Sequence, residues 1–278
     1  FYDLIPIENG PPVPGVHMQE DIEYGRGGDT PLFLDLYTPE NRQGVLPGIL
    51  LFFGGSWKYG RKDQLRVYAQ YLAANGYVVG AVQYRLREAG QWPNSIQDAK
   101  CAVRWMRAHA AEFGIDPGHI GVLGNSAGGY LSLMTAYTAG QPEFEGDGGW
   151  ADEDSSVQAV VDIYGPTDFT EPIRRDHNAV VSYMGGRYEE MPERFAKASP
   201  ILQLSEKSPP TCVIHGTVDQ LVPVTQSDRL VEKLQDFGIP YEYSRINGWP
   251  HAMDAAVAVS NHTKSLALHF FNRYLKQK

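Results

Sequence analysis

The chain has 278 residues, 42% hydrophobic and 21% charged, with a formal net charge of -9. This balance is ordinary for a globular protein with a large core, and its acidity argues against a nucleic-acid-binding surface. No apolar run approaches the roughly 18 residues that a membrane span requires.

Residues 1–17 are rich in Pro and Gly and read as a leader. Phe1 in place of an initiator Met leaves two compartments open: secreted or periplasmic if the N-terminus is processed, otherwise cytoplasmic. Met18 to Tyr24 and Leu32 to Tyr37 read as strands, the second with clear alternation of residue type. Asp29-Thr30-Pro31 between them suggests a hairpin. Val45 to Phe53 is an apolar strand running into Gly54-Gly55-Ser56-Trp57-Lys58-Tyr59-Gly60. A helix over Gln64 to Ala74 and a strand over Tyr77 to Gln83 follow. Asn94-Ser95 then caps a long helix predicted through Phe113.

Ile120, Val122 and Leu123 form the next apolar strand, ahead of Gly124-Asn125-Ser126-Ala127-Gly128 and a helix over Leu131 to Tyr137. Strands at Val157 to Tyr164, Thr211 to His215 and Tyr241 to Ile246 alternate with helices at Thr225 to Phe237 and Asn261 to Leu275. Such alternation predicts a mostly parallel central sheet flanked by helices, in a single domain over 1–278. Two stretches exceed a minimal sheet. The acidic segment Gln141 to Ser156 matches no EF-hand spacing and reads as a solvated loop, and 165–208 reads as a small cap-like insertion. Cys101 and Cys212 fall in a helix and a strand and read as buried free thiols.

Gly-x-Ser-x-Gly between a strand and a helix describes a nucleophile elbow. A side chain at either flanking Gly would clash with the neighbouring strand and helix, and the turn lifts Ser126 above the sheet. A serine hydroxyl needs a base and an orienting acid, and in this chain order both follow it. Asp219 lies in the loop after the strand Thr211 to His215, and His251 in the loop after the last strand. Asp168, after the preceding strand, is the serious rival acid; Asp228 and Asp236 sit on a helix and face solvent. His262 and His269 belong to the last helix, and His215 reads as structural. Ser126, Asp219 and His251 are therefore the expected triad. The amides of Gly55, Ser56 and Ala127 are the expected oxyanion hole. Trp57, Tyr59, Tyr183 and Trp249 are the expected substrate-binding aromatics, although packing is the commoner role for each.

With these residues placed, the chain from about Asp21 onward resembles α/β-hydrolase-fold esterases of the hormone-sensitive-lipase and carbohydrate-esterase kind. Among these the likeness is above all to bacterial feruloyl and acetylxylan esterases. The resemblance is carried by Leu34-Asp35-Leu36-Tyr37, Gly54-Gly55-Ser56-Trp57, Gln83-Tyr84-Arg85-Leu86, the elbow, Ala198-Ser199-Pro200-Ile201, His215-Gly216-x-x-Asp219 with Val222-Pro223, and Pro250-His251-Ala252. It implies a cofactor-free, metal-free serine esterase acting on small-molecule or carbohydrate esters, with acetyl or feruloyl groups favoured, and with neither nucleic acid nor membrane as partner. Oligomeric state is left open. An arylformamidase-like amide hydrolase and a catalytically silent binding protein on the same scaffold are the alternatives. One position departs from the pattern: Phe53 stands where such families place a histidine that braces the oxyanion loop, so apolar packing is the expected substitute.

Overall fold

The computed structural model describes residues 13–276, so most of the expected leader, 1–12, lies outside the described residues. Eight strands form one sheet: β1 Val16–Gly27, β2 Thr30–Pro39, β3 Leu46–Phe52, β4 Val78–Val82, β5 Ile115–Asn125, β6 Ala159–Ile163, β7 Thr211–Gly216 and β8 Tyr241–Ile246. Their spatial order is β1-β2-β4-β3-β5-β6-β7-β8. The pairs β1–β2 and β2–β4 are antiparallel, and every later pair is parallel. The hairpin at Asp29 closes with Gly27 opposite Thr30. β1 is longer than Met18 to Tyr24 and carries two register shifts.

Both faces of the central strands are apolar because helices cover both. Along β3, Leu50 and Phe52 enter the layer beneath helices Asn94–Ala108 and Ala127–Tyr137, whereas Ile49 and Leu51 enter the layer beneath helices Arg66–Ala74 and Val257–Tyr274. Helix Ala127–Tyr137 is buried along its whole length, which explains its lack of any polar face. It begins four residues earlier than the apolar run alone suggests.

Three local expectations change. The helix from Asn94 breaks at His109, and a separate turn Ala110–Phe113 follows. Pro93 rather than Asn94-Ser95 stands at its N-cap; the Asn94 side chain donates to the Ala89 carbonyl instead, and the Ser95 hydroxyl bonds the Tyr183 hydroxyl. The acidic segment 141–156 is not simply solvated. Glu145 accepts from Lys100 at 2.9 Å and Arg104 at 2.7 Å, two cations buried in helix Asn94–Ala108 that need a carboxylate to offset their desolvation. Cys101 and Cys212 are buried free thiols. Among the described residues no helix is long and apolar enough to cross a membrane.

Segment 165–208 folds into short helices Pro172–Arg175, Asn178–Met184, Pro192–Lys197 and Pro200–Gln203. Phe169, Val180, Met184 and Phe195 bury into the layer that holds the elbow helix. The segment contributes no residue to the larger cavity at Ser126, but Arg174, His177 and Ala179 line the smaller one.

Candidate active site

Parallel strands bring their C-terminal ends to one edge of the sheet, and the loops beyond β3, β5, β6, β7 and β8 meet there. Ser126 follows β5 with φ +52° and ψ -120°, a strained conformation for a residue with a Cβ. Its amide donates to the Ile163 carbonyl at 2.9 Å, which anchors the turn to β6. The flanking glycines are required by contact. A Cβ on Gly124 would lie 2.2 Å from the Gly128 carbonyl oxygen, and one on Gly128 would lie 1.9 Å from that of Phe52.

The structure brings Ser126, His251 and Asp219 together. Ser126 Oγ lies 2.9 Å from His251 Nε2, and His251 Nδ1 lies 2.6 Å from Asp219 Oδ2. An ionised carboxylate only accepts, so Nδ1 carries the proton and Nε2 is left to accept from the serine hydroxyl. Asp219 receives three further bonds: from the amides of Leu221 and Val222 at 2.8 Å each, and from His215 Nε2 at 3.1 Å. Burial alone would push the Asp219 carboxyl up. The bonds from His215 and His251, the positive charge His251 can carry and the backbone amide outweigh it and hold the group well below the usual carboxylate range.

His215 is fully buried. Its Nε2 proton is shared between Asp219 and the Val222 carbonyl, while Nδ1 accepts from Ser227 Oγ at 2.7 Å. The expectation of a structural histidine is thus specific: it holds the acid. Its spacing in His215-Gly-x-x-Asp219 is the sequence signal for that role. Asp168 is occupied elsewhere, bonded to Arg229 at 3.0 Å and to Thr170. Asp228 is half-buried rather than solvated, because it accepts from the Tyr243 hydroxyl at 2.7 Å. Asp236, His262 and His269 are exposed.

The loop after β3 is fixed by apolar contacts where a bracing histidine was absent. Phe53 stacks on Tyr84 with ring centres 4.4 Å apart, and the Tyr84 hydroxyl donates to the Phe53 carbonyl at 2.7 Å. The Gly55 carbonyl accepts from the amides of Lys58 and Tyr59 at 3.0 Å each, and Ser56 and Trp57 both take positive φ. The amides of Gly55, Ser56 and Ala127 have no acceptor among the described residues. Gly55, Ser56 and Ala127 share cavity walls with Ser126, two on this loop and one at the start of the elbow helix.

Of the expected substrate aromatics, Trp57 alone among the described residues lines a cavity at Ser126. Trp57 and Tyr183 are buried and stacked on each other at 4.4 Å, with Tyr130 and Phe169 packed against the Trp57 edge. Tyr59 is 65% exposed beneath Arg87 and lines neither cavity at Ser126. Trp249 is half-buried against the layer containing Ile246. Aromatic character alone does not distinguish packing from recognition: Tyr183 packs in the interior, whereas Trp57 packs on it and also lines the smaller cavity at Ser126.

Two cavities meet at Ser126. The larger, about 280 Å³, is walled by Leu65, Val67, Tyr68, Leu221, Ala252 and Ala255, and His251 also faces it. At its base lies a polar cluster that the sequence reading missed. Asp254 accepts from the Tyr164 hydroxyl and, at 3.1 Å, from Asn125 Nδ2, while the Tyr164 ring lies 4.7 Å from that of His251. Burial pushes the Asp254 carboxyl up despite these bonds. The smaller cavity, about 10 Å³, lies on the other side of Ser126 beside Ser56, Trp57 and Ala127, with Arg174 and His177 from segment 165–208. Among the described residues no group of three or more His, Cys, Asp or Glu side chains is arranged to hold a metal ion.

A mostly parallel sheet with a nucleophile elbow at its centre, and an acid and a histidine on later strand ends, defines an α/β hydrolase. The BD-FAE family model matches residues 34–234, and the chain belongs to that family. It is 33% identical over 84% of its length to the probable carboxylic ester hydrolase LipM of Mycobacterium tuberculosis, and spans 56% of that relative. Among solved structures, butyrate-bound Est2, a thermophilic esterase of Thermogutta terrifontis, superposes with a TM-score of 0.80 at 26% identity, covering 95% of this chain and 97% of that one. A bifunctional GH43-CE protein of Bacteroides eggerthii gives a TM-score of 0.83 at 27% identity over 92% of this chain and 38% of that one.

Proposed function

We propose that the protein is a serine carboxylic ester hydrolase acting on short acyl esters of bulky alcohols, acetylated sugars foremost. The observation that carries the reading is the continuous hydrogen-bonded chain Ser126–His251–Asp219, opening onto two cavities of very different size. In this reading His251 takes the Ser126 proton as Oγ attacks the ester carbonyl. The oxyanion is received by the Gly55, Ser56 and Ala127 amides. The imidazolium then protonates the departing alkoxide, and a water deprotonated by His251 releases the acid from Ser126.

The direction of the ester follows from where the proton donor lies. The leaving oxygen must reach His251, and His251 lines the larger cavity but not the smaller. The alcohol is therefore assigned to the 280 Å³ side and the acyl group to the 10 Å³ side, which admits little beyond a water-sized group. This favours acetyl over feruloyl, since a hydroxycinnamoyl group fits only the larger side. The butyrate of the T. terrifontis complex and the carbohydrate-esterase part named for the B. eggerthii protein agree with a short acyl group and a sugar alcohol.

The test is hydrolysis of p-nitrophenyl acetate and methyl ferulate in parallel, with Ser126→Ala and His251→Ala as controls. Acetate is expected to turn over, ferulate far more slowly, and each variant to lose on the order of 10⁴-fold in kcat. Faster turnover of ferulate reverses the assignment of the two cavities. Near wild-type rates in either variant refute the triad. A folded protein that hydrolyses neither ester, and whose Ser126 escapes fluorophosphonate labelling, is the silent scaffold instead.

A further inference from the structure

Asp254 is a buried anion without a resident cation. It is 8% exposed, and both carboxyl oxygens accept hydrogen bonds: Oδ1 from the Tyr164 hydroxyl and Oδ2 from Asn125 Nδ2 at 3.1 Å. Asn125 Nδ2 also donates to the Tyr164 oxygen at 3.2 Å, which directs the Tyr164 hydroxyl hydrogen at Asp254. A carboxyl that accepts on both oxygens is ionised. Among the described residues no cationic side chain forms an ion pair with it, and burial pushes the carboxyl up despite the two bonds. Burying such a charge without a cation is costly.

The neighbour able to supply positive charge is His251, which becomes an imidazolium when it takes the Ser126 proton. Its ring lies 4.7 Å from the Tyr164 ring at an interplanar angle of 59°, within the range over which an aromatic ring attracts a cation. A phenol that donates to a carboxylate carries more electron density in its ring, so Asp254 strengthens that attraction. Asp254 and His251 also wall the same cavity. The cluster is held in place from three sides. Tyr164 takes φ +46° and its amide donates to the Ile214 carbonyl at 2.9 Å, while Asn125 directly precedes the nucleophile. A bulky residue kept in the left-handed region marks a position fixed by its surroundings.

We infer that Tyr164 and Asp254 are positioning residues that favour the protonated form of His251, acting through its ring where Asp219 acts through Nδ1. The inference rests on the esterase reading. As Ser126 Oγ attacks, its proton passes to His251 Nε2. The positive charge so formed is shared by two carboxylates, Asp219 directly and Asp254 through Tyr164. The proton then leaves with the alkoxide, and neither Tyr164 nor Asp254 exchanges one. The other ionisable groups around this pair are Tyr68 of helix Arg66–Ala74, and Asp63 and Arg66, which line the same cavity. Burial pushes the Tyr68 and Tyr164 hydroxyls well above the usual phenol range, so neither titrates near neutral pH.

The test is Asp254→Asn, with Tyr164→Phe as a second variant that keeps the ring. Asn125 Oδ1 has no partner and can turn to accept from the new amide, so Asp254→Asn removes the charge and leaves the cluster hydrogen-bonded. This variant is expected to lower kcat for p-nitrophenyl acetate about three- to tenfold with KM within about twofold. It is also expected to move the acid limb of kcat/KM about half a pH unit lower, since an imidazolium deprived of the anion gives up its proton more readily. Tyr164→Phe shifts both in the same direction by less. A variant that loses Tm or activity while its acid limb stays in place has lost only a structural group, and that result overturns the inference. An acid limb that moves higher does the same. If Asp254→Asn does not fold, the limb of Tyr164→Phe decides on the same terms. Proton NMR titration of the His251 ring, assigned by its loss in His251→Gln, reads the effect without turnover. If the wild type cleaves no ester the esterase reading fails, and the titration still decides the pairing: a lower midpoint in Asp254→Asn supports it, and equal midpoints overturn it.

Discussion

Replacing His215 by Ala tests the idea that the acid is held by a buried imidazole rather than by its loop alone. The substitution removes the Nε2–H bond to Asp219 at 3.1 Å, the partner of the Val222 carbonyl at 2.9 Å and the acceptor of Ser227 Oγ at 2.7 Å. A hydrogen bond to a charged group contributes about 1.5–3 kcal/mol, and an orphaned buried hydroxyl costs about 1 kcal/mol. The space left by a fully buried ring adds on the order of 1 kcal/mol. The sum is about 4 kcal/mol, or a fall in Tm of roughly 10 °C for a chain of this size. Asp219 keeps its bonds to the Leu221 and Val222 amides, so the carboxylate stays near His251 but is less well aimed. A misalignment of about 1.4 kcal/mol lowers kcat about tenfold with KM little changed. Thermal unfolding by circular dichroism and p-nitrophenyl acetate kinetics read the two effects. A Tm within about 3 °C of wild type together with unchanged kcat would refute the bracing role.

Two further predictions concern groups around the elbow. Asp162 is wholly buried beneath the elbow helix, with Oδ1 accepting from the Gly165 amide and Oδ2 unpartnered; burial pushes it up to about 7. A carboxyl whose folded pKa lies above its unfolded value gives stability that is complete below about pH 4 and is lost as pH rises to about 7. Asp162→Asn is therefore expected to gain Tm relative to wild type between pH 4 and pH 8; a gap constant across that range refutes the assignment. Phe53→His removes the stack on Tyr84 and the apolar contact with Gly60. The variant is expected to lose stability and to lower kcat more than KM. An unchanged Tm with raised kcat would show that the loop prefers the histidine it lacks.

Much of the site was legible because it depends on local chemistry. Gly-x-Ser-x-Gly after an apolar run encodes the elbow, since the close approach of Phe52, Gly124 and Gly128 is set by strand-turn-helix geometry. The order of Ser126, Asp219 and His251, each just past a strand, places all three on one edge of any parallel sheet. The helix break at His109 and the anchoring of 141–156 escaped the sequence reading. The first is a matter of hydrogen bonds at a terminus, and the second of a pairing between Lys100 and Glu145 across 45 residues.

The sequence by itself determined the layered α/β order and which serine, carboxylate and histidine meet at one edge of the sheet, because periodicity and turn chemistry act within a few residues. Only the tertiary structure decided which groups face the substrate. Tyr183 and Trp57 stack on each other, and Asp254, which the sequence did not single out, is held beside His251 by Tyr164 and Asn125. Arg174, which the sequence did not single out, is buried by the fold at the smaller cavity beside Ser126. Burial and partnership are properties of chain segments far apart in sequence, and they decide which charges are free to act.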